Sequence, residues 1–180
     1  LAFHGNNRNN NAQQCILCHT ADATDVRRRQ LAGVDWSNPD PTDGRGEQSI
    51  AMGYMLHSLH RSNIVLYGFA FVPGVGVSGG PNDFTEVTYP GNLANCNACH
   101  VDDSYYGARS TARAITVGPG ADRAISADDE EITPTTAACD GCHPGVDSAA
   151  PMVQTGGYIA DGDPAPVGAG LYGALGRSPA

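Results

Sequence analysis

All six cysteines of this chain stand in one repeated spacing. Cys15-Ile16-Leu17-Cys18-His19, Cys96-Asn97-Ala98-Cys99-His100 and Cys139-Asp140-Gly141-Cys142-His143 each set two thiols three residues apart, with a histidine directly after the second. Six histidines in 180 residues make a threefold coincidence negligible, and Cys-x-x-Cys-His is the attachment signature of c-type haem. The two thiols add to the two vinyl groups of one porphyrin, and the adjoining imidazole ligates its iron as the proximal ligand. The expectation is three covalently bound haem c groups, held by Cys15, Cys18, Cys96, Cys99, Cys139 and Cys142, with His19, His100 and His143 on the irons.

Other uses of paired cysteines fit less well. A zinc ribbon needs two Cys-x-x-Cys pairs about 15–20 residues apart, and these pairs lie much farther from one another. A redox dithiol of the thioredoxin kind is expected once, at a helix start after a strand, not three times with a trailing histidine. Disulfides within each pair leave the histidines unexplained.

Three haems in 180 residues constrain the fold. With four Phe and one Trp against 23 Gly and 12 Pro, the protein has few large hydrophobes, and the porphyrins must provide much of the buried apolar surface. Gly and Pro together stay under a fifth of the chain, below the roughly 25–30% that marks disorder. The expected fold class is a multihaem cytochrome c: one domain over 1–180, mostly irregular coil with a few short helices and a short β-hairpin, wrapped around a chain of haems. The formal charge of −9 argues against a nucleic-acid partner. All ten basic residues are Arg, a residue that pairs bidentately with carboxylates such as haem propionates. The run Arg27-Arg28-Arg29 reads as a solvated or propionate-pairing face. No stretch approaches the about 20 apolar residues of a membrane span. Haem attachment to this motif takes place beyond the cytoplasmic membrane, so an export signal, since removed, is expected, with an extracellular, cell-surface or periplasmic location.

Along the chain, 1–14 is a polar, Asn-rich arm that carries His4, and 35–46 is rich in turn residues. The segment 47–62 is the best helix candidate, because Ile50, Tyr54, Met55 and Leu59 recur at three- and four-residue steps. On such a helix His57 and His60 share a face. "NIVLYGFAFV" and "DFTEVTYP" read as two strands joined by "PGVGVSGGPN" into a hairpin. "SADDEEITP" reads as a solvated acidic turn, and the Gly/Pro-rich tail 156–180 has no usable pattern.

Each proximal histidine leaves one axial position open. Three such positions meet the three remaining histidines, His4, His57 and His60. Met is the competing ligand, but Met52, Met55 and Met152 read as packing residues.

"MLHSLHRS", "DFTEVTYPGNLANCNACH" and "ITPTTAACDGCH", in that order over roughly residues 50–160, resemble the haem domains of outer-surface decahaem c-type cytochromes of the MtrC/OmcA type. The resemblance implies a small three-haem relative that moves electrons through closely spaced bis-His haems, with His57 and His60 as paired distal ligands. The chain departs from the pattern at "SAAPMVQTGGYIA", where Pro151 stands in place of a further distal histidine. His4 is then the histidine left for the third iron, either within its own subunit or across a subunit boundary. Electron transfer without catalysis is the expected role; a multihaem reductase with an open iron is the rival. Within the first reading, a polymer of the chain with itself competes with a soluble shuttle serving other cytochromes or extracellular acceptors.

Overall fold

A computed structural model describes residues 2–3, 8–9, 11–35, 37–68, 70–72, 75–78, 80–105, 115–118, 130–133, 136–138 and 159–160. His4, Pro151, Met152 and the third motif, with Cys139, Cys142 and His143, lie outside the described residues. Helices α1 (Ala12–Cys15), α2 (Val26–Leu31) and α3 (Met52–Arg61) are short, and the strands, of two to four residues, form small antiparallel ladders. Irregular backbone accounts for about half of the described residues, and every helix and strand is short, which is compatible with the coil-rich fold expected from the glycine and proline content.

Local chemistry sets the helix ends. The side chain of Asn11 accepts from the Gln13 amide and caps α1. After α2 the chain closes on Gly33 at φ +81, with Gly33 N–H donating to Gln30 O and Val34 N–H to Arg29 O; this is the paired closure of a Schellman motif. Ser62, at φ 67, closes α3 in the same way, through Ser62 N–H to Leu59 O and Asn63 N–H to Ser58 O. Helix α3 begins later than the candidate 47–62. Residues 47–50 are held in an extended course instead, because Ser49 bridges Thr24, Ile50 N–H donates to Ala23 O, and the Gln48 amide donates to buried Asp25.

Strands β1 (Ala2–Phe3) and β2 (Arg8–Asn9) pair within the N-terminal arm on either side of His4. The expected hairpin forms, but its return strand comes earlier than "DFTEVTYP". Strand β3 (Val65–Tyr67) pairs with β6 (Pro81–Asp83), while β4 (Ala70–Val72), the end of the first expected strand, pairs with β5 (Val75–Ser78), which lies in the expected loop. Asp83 ends the ladder: its carboxylate accepts from the Thr85 amide and hydroxyl, and Val87 N–H turns back to Phe84 O. The acidic turn is likewise corrected at its end. Glu130–Ile132 is β8, the central strand between β7 (Ile115–Gly118) and β9 (Ile159–Ala160), because Ile132 is fully buried opposite Ile115. So the tail contributes an edge strand.

The core gathers Ala51, Tyr54, Ile64, Leu66, Ile115, Ile132 and Ala137, with Ile50, Met55, Leu59 and Phe84 packed against it. Each fully buried Ile or Val stabilises the fold by about 1.5–3 kcal/mol. Beside this core lies a buried charge cluster. Arg29 is 0% exposed, which corrects the reading of Arg27-Arg28-Arg29 as a solvated or propionate-pairing face: the helical repeat turns Arg27 outward and Arg29 inward. Arg29 Nε donates to Asp25, NH1 to Asp43 and Arg45 O, and NH2 to Asp43 and Val65 O, at 2.6–3.0 Å. All its donors are thereby engaged, and its guanidinium carbon lies 5.0 Å from the centroid of the Tyr67 ring.

Candidate haem-attachment site

The first two motifs fold into the same turn. In the first, Cys18 N–H and His19 N–H donate to Cys15 O at 3.1 and 2.9 Å; in the second, Cys99 N–H and His100 N–H donate to Cys96 O at 3.1 and 2.9 Å. The first turn continues α1, and the second is the 3-10 turn Cys96–Ala98. A helical turn puts positions i, i+3 and i+4 on one side, so both thiols and the histidine of each motif share a face. All four cysteines are free; Cys15 is half-buried and Cys18, Cys96 and Cys99 are exposed. A helical stretch at 136–138, with Ala137 N–H donating to Thr133 O, leads to the third motif.

Helix α3 brings the histidines together. At its start, His19 Nδ1 bonds Ile50 O at 2.7 Å and Met52 N–H donates to His19 O. Near its end, His60 Nδ1 bonds Leu56 O at 2.7 Å. A ring that donates Nδ1–H to a backbone carbonyl carries its lone pair on Nε2, the tautomer found in metal-ligating histidines. His57 Nδ1 is buried without a hydrogen bond of normal geometry among the described residues, although the Gly53 carbonyl, four residues back, still acts on it. Burial, then the nearby His100 and His60, push its pKa below the usual histidine value, which favours the neutral imidazole that binds metal.

His57 faces the second motif. Its ring centroid lies 6.2 Å from that of His100, with 20° between the planes. Imidazole–metal bonds are about 2.0–2.1 Å, and with roughly 1.1 Å from nitrogen to ring centroid on each side, two imidazoles across one metal have centroids about 6.2–6.4 Å apart. Among the described residues no group of three or more His, Cys, Asp and Glu is arranged for a metal ion; a porphyrin iron takes four nitrogens from the ring and needs two from the protein. Ile16, Leu17, Leu93 and Val101, in or beside the two motifs, are 44–77% exposed, an apolar surface suited to a porphyrin. The residues present fit a covalently attached haem at both motifs.

Two tyrosines that the sequence reading passed over complete the site. Tyr89 meets His60 edge-on, with centroids 5.4 Å apart and planes at 84°. Its ring rests against Gly91, where a Cβ would lie 3.0 Å from Tyr89 Cε1, and Cys99 raises its phenol pKa. Tyr105 meets His100 at 5.7 Å and 61°. Neither has a sequence signal beyond its place near a motif. All four histidines among the described residues are thus gathered on or around α3. Met55 packs against the core, as its helical spacing implied. Among the described residues no helix is long and apolar enough to cross a membrane.

No curated protein and no solved structure gives a significant match to the chain. A family model does: that of outer membrane cytochromes, MtrC/MtrF-like, domains II/IV, which matches residues 1–168. The paired haem motifs and the histidines beside them agree with that match, and the chain belongs to the MtrC/MtrF-like outer membrane cytochrome family of multihaem c-type electron carriers.

Proposed function

We propose that the chain is an extracellular electron conduit, in which three bis-His haems pass electrons through the molecule to other cytochromes or extracellular acceptors. The observation that carries this reading is the 6.2 Å pairing of His57 with His100. A bound haem supplies a one-electron iron couple whose potential follows its ligands, hydrogen bonds and burial. The chain's residues do the rest. Cys15 with Cys18, Cys96 with Cys99, and Cys139 with Cys142 would hold the three groups, and His19, His100, His143, His57, His60 and His4 would supply imidazole nitrogens to the irons. With all six imidazoles engaged, a small substrate would find no open iron, so the conduit is favoured over a multihaem reductase. The protein acts outside the cell or at its surface. By the resemblance Pro151 stands where one iron's local ligand would be, which leaves His4 to supply it, either from the same chain or, head to tail, from a second copy. A head-to-tail contact of that kind closes into a ring or propagates as a filament.

The test is carbon monoxide added to the reduced holoprotein. The wild-type spectrum is expected to stay nearly unchanged, while His57→Ala binds one carbon monoxide per chain. Stoichiometric binding by the wild type would show an open iron and sink the conduit reading.

A further inference from the structure

His57 and His100 share an orientation as well as a separation, since their planes lie within 20° of each other. The torsion that turns a histidine ring is broad and soft, so near-parallel planes require contacts that hold each ring. His19 and His60 are held by backbone carbonyls at 2.7 Å. Among the described residues, His100 makes no such hydrogen bond. Its ring meets Tyr105 instead, at 5.7 Å and 61°, within the about 4.5–7 Å of favourable edge contacts between aromatic rings.

The backbone between the two rings is itself unusual. Asp102 and Asp103, directly between His100 and Tyr105, have φ of 52° and 53°. Two successive non-glycine residues in the left-handed region are uncommon, and such strain persists only where the surroundings impose it. With Ser104 N–H donating to Val101 O at 3.0 Å, the chain folds back over the motif it has just left.

We propose that Tyr105 is a positioning residue that sets the ring plane of His100, keeps it near-parallel to His57, and thereby fixes the symmetry of the ligand field at the iron they share. The proposal rests on the His57–His100 pairing put forward above. Parallel imidazoles donate π density into the same iron d orbital and separate it from its partner, whereas crossed imidazoles treat the two alike. A ferric low-spin iron then gives a rhombic EPR signal in the parallel case and a large-gmax, nearly axial one in the crossed case.

The experiment is low-temperature EPR of the oxidised holoprotein, with His57→Ala identifying the site's signal as the one that disappears. That signal is expected to be rhombic in the wild type, to move to the large-gmax form in Tyr105→Leu, and to stay rhombic in Tyr105→Phe, which keeps the ring edge. Tyr105 is 37% exposed, so neither substitution empties the core. A His57-dependent signal that remains rhombic in Tyr105→Leu overturns the proposal and leaves the pairing standing. A Phe variant that behaves like the Leu variant overturns the ring edge as the cause. Survival of every low-spin signal in His57→Ala overturns the pairing itself.

Discussion

Replacing Arg29 with Met tests whether the buried charge cluster holds up the haem site. The wild-type guanidinium joins two carboxylates, Asp25 and Asp43, and two main-chain carbonyls, Arg45 O and Val65 O, while its side chain is 0% exposed. Met fills similar space without a charge or a donor. Removing one partner of a buried pair costs about 3–5 kcal/mol, because the other charge stays buried and uncompensated. That is a large part of the about 5–15 kcal/mol that holds a typical domain together, and for a chain of this length corresponds to roughly 6–20 °C in Tm. The loss reaches the site through Asp25, which also accepts from the Gln48 and Tyr67 amides; Gln48 stands two residues before Ile50, whose carbonyl accepts from His19. The effect depends on pH with a defined sign. Burial raises the Asp25 pKa above its usual value, against the opposing pull of Arg29 and the two amides. A raised folded-state value contributes stability that is present below the unfolded pKa and is lost as pH rises through the folded one. Without Arg29 the folded value climbs further, so the deficit of Arg29→Met is greatest near neutrality and shrinks as pH falls towards the ordinary carboxylate range. Urea unfolding of the oxidised holoprotein, followed by far-UV circular dichroism at about pH 7 and about pH 4.5, measures both. A deficit below about 1 kcal/mol, the value of an exposed pair, or one that is equal at the two pH values, refutes the reasoning.

Tyr67→Phe removes the hydroxyl that donates to buried Asp40 and is expected to cost about 1–3 kcal/mol. Burial and Asp40 push the Tyr67 pKa up to about 12, so the wild-type advantage holds up to about pH 10 and fades towards about pH 12; denaturant titrations across that range check it, and an advantage undiminished above the upper limit contradicts the assignment. His4→Ala is expected to give soluble particles with one altered haem; electron micrographs showing normal polymers, with all irons low-spin, exclude His4 as the junction ligand.

Much of the chemistry is local, and so was legible in the sequence. Cys-x-x-Cys-His needs only neighbouring residues to form its turn, and both described motifs fold to the same pair of hydrogen bonds. His57 and His60 follow from a helical repeat whose apolar positions, Tyr54, Met55 and Leu59, meet the core. The shortness of the helices and strands follows from glycine, proline and few large hydrophobes. What remained hidden depends on partners far along the chain. Arg29 looks like its neighbours until Asp43 and the carbonyls of Arg45 and Val65 surround it. Ile132 looks like the end of an acidic turn until Ile115 and the distant pair Ile159–Ala160 flank it on both sides. No periodicity aims His57 at His100 or Tyr105 at that same ring. Spacing along a chain determines which side chains share a face; only closure of the loops between elements decides which face another meets, because those contacts form between residues that no local rule relates.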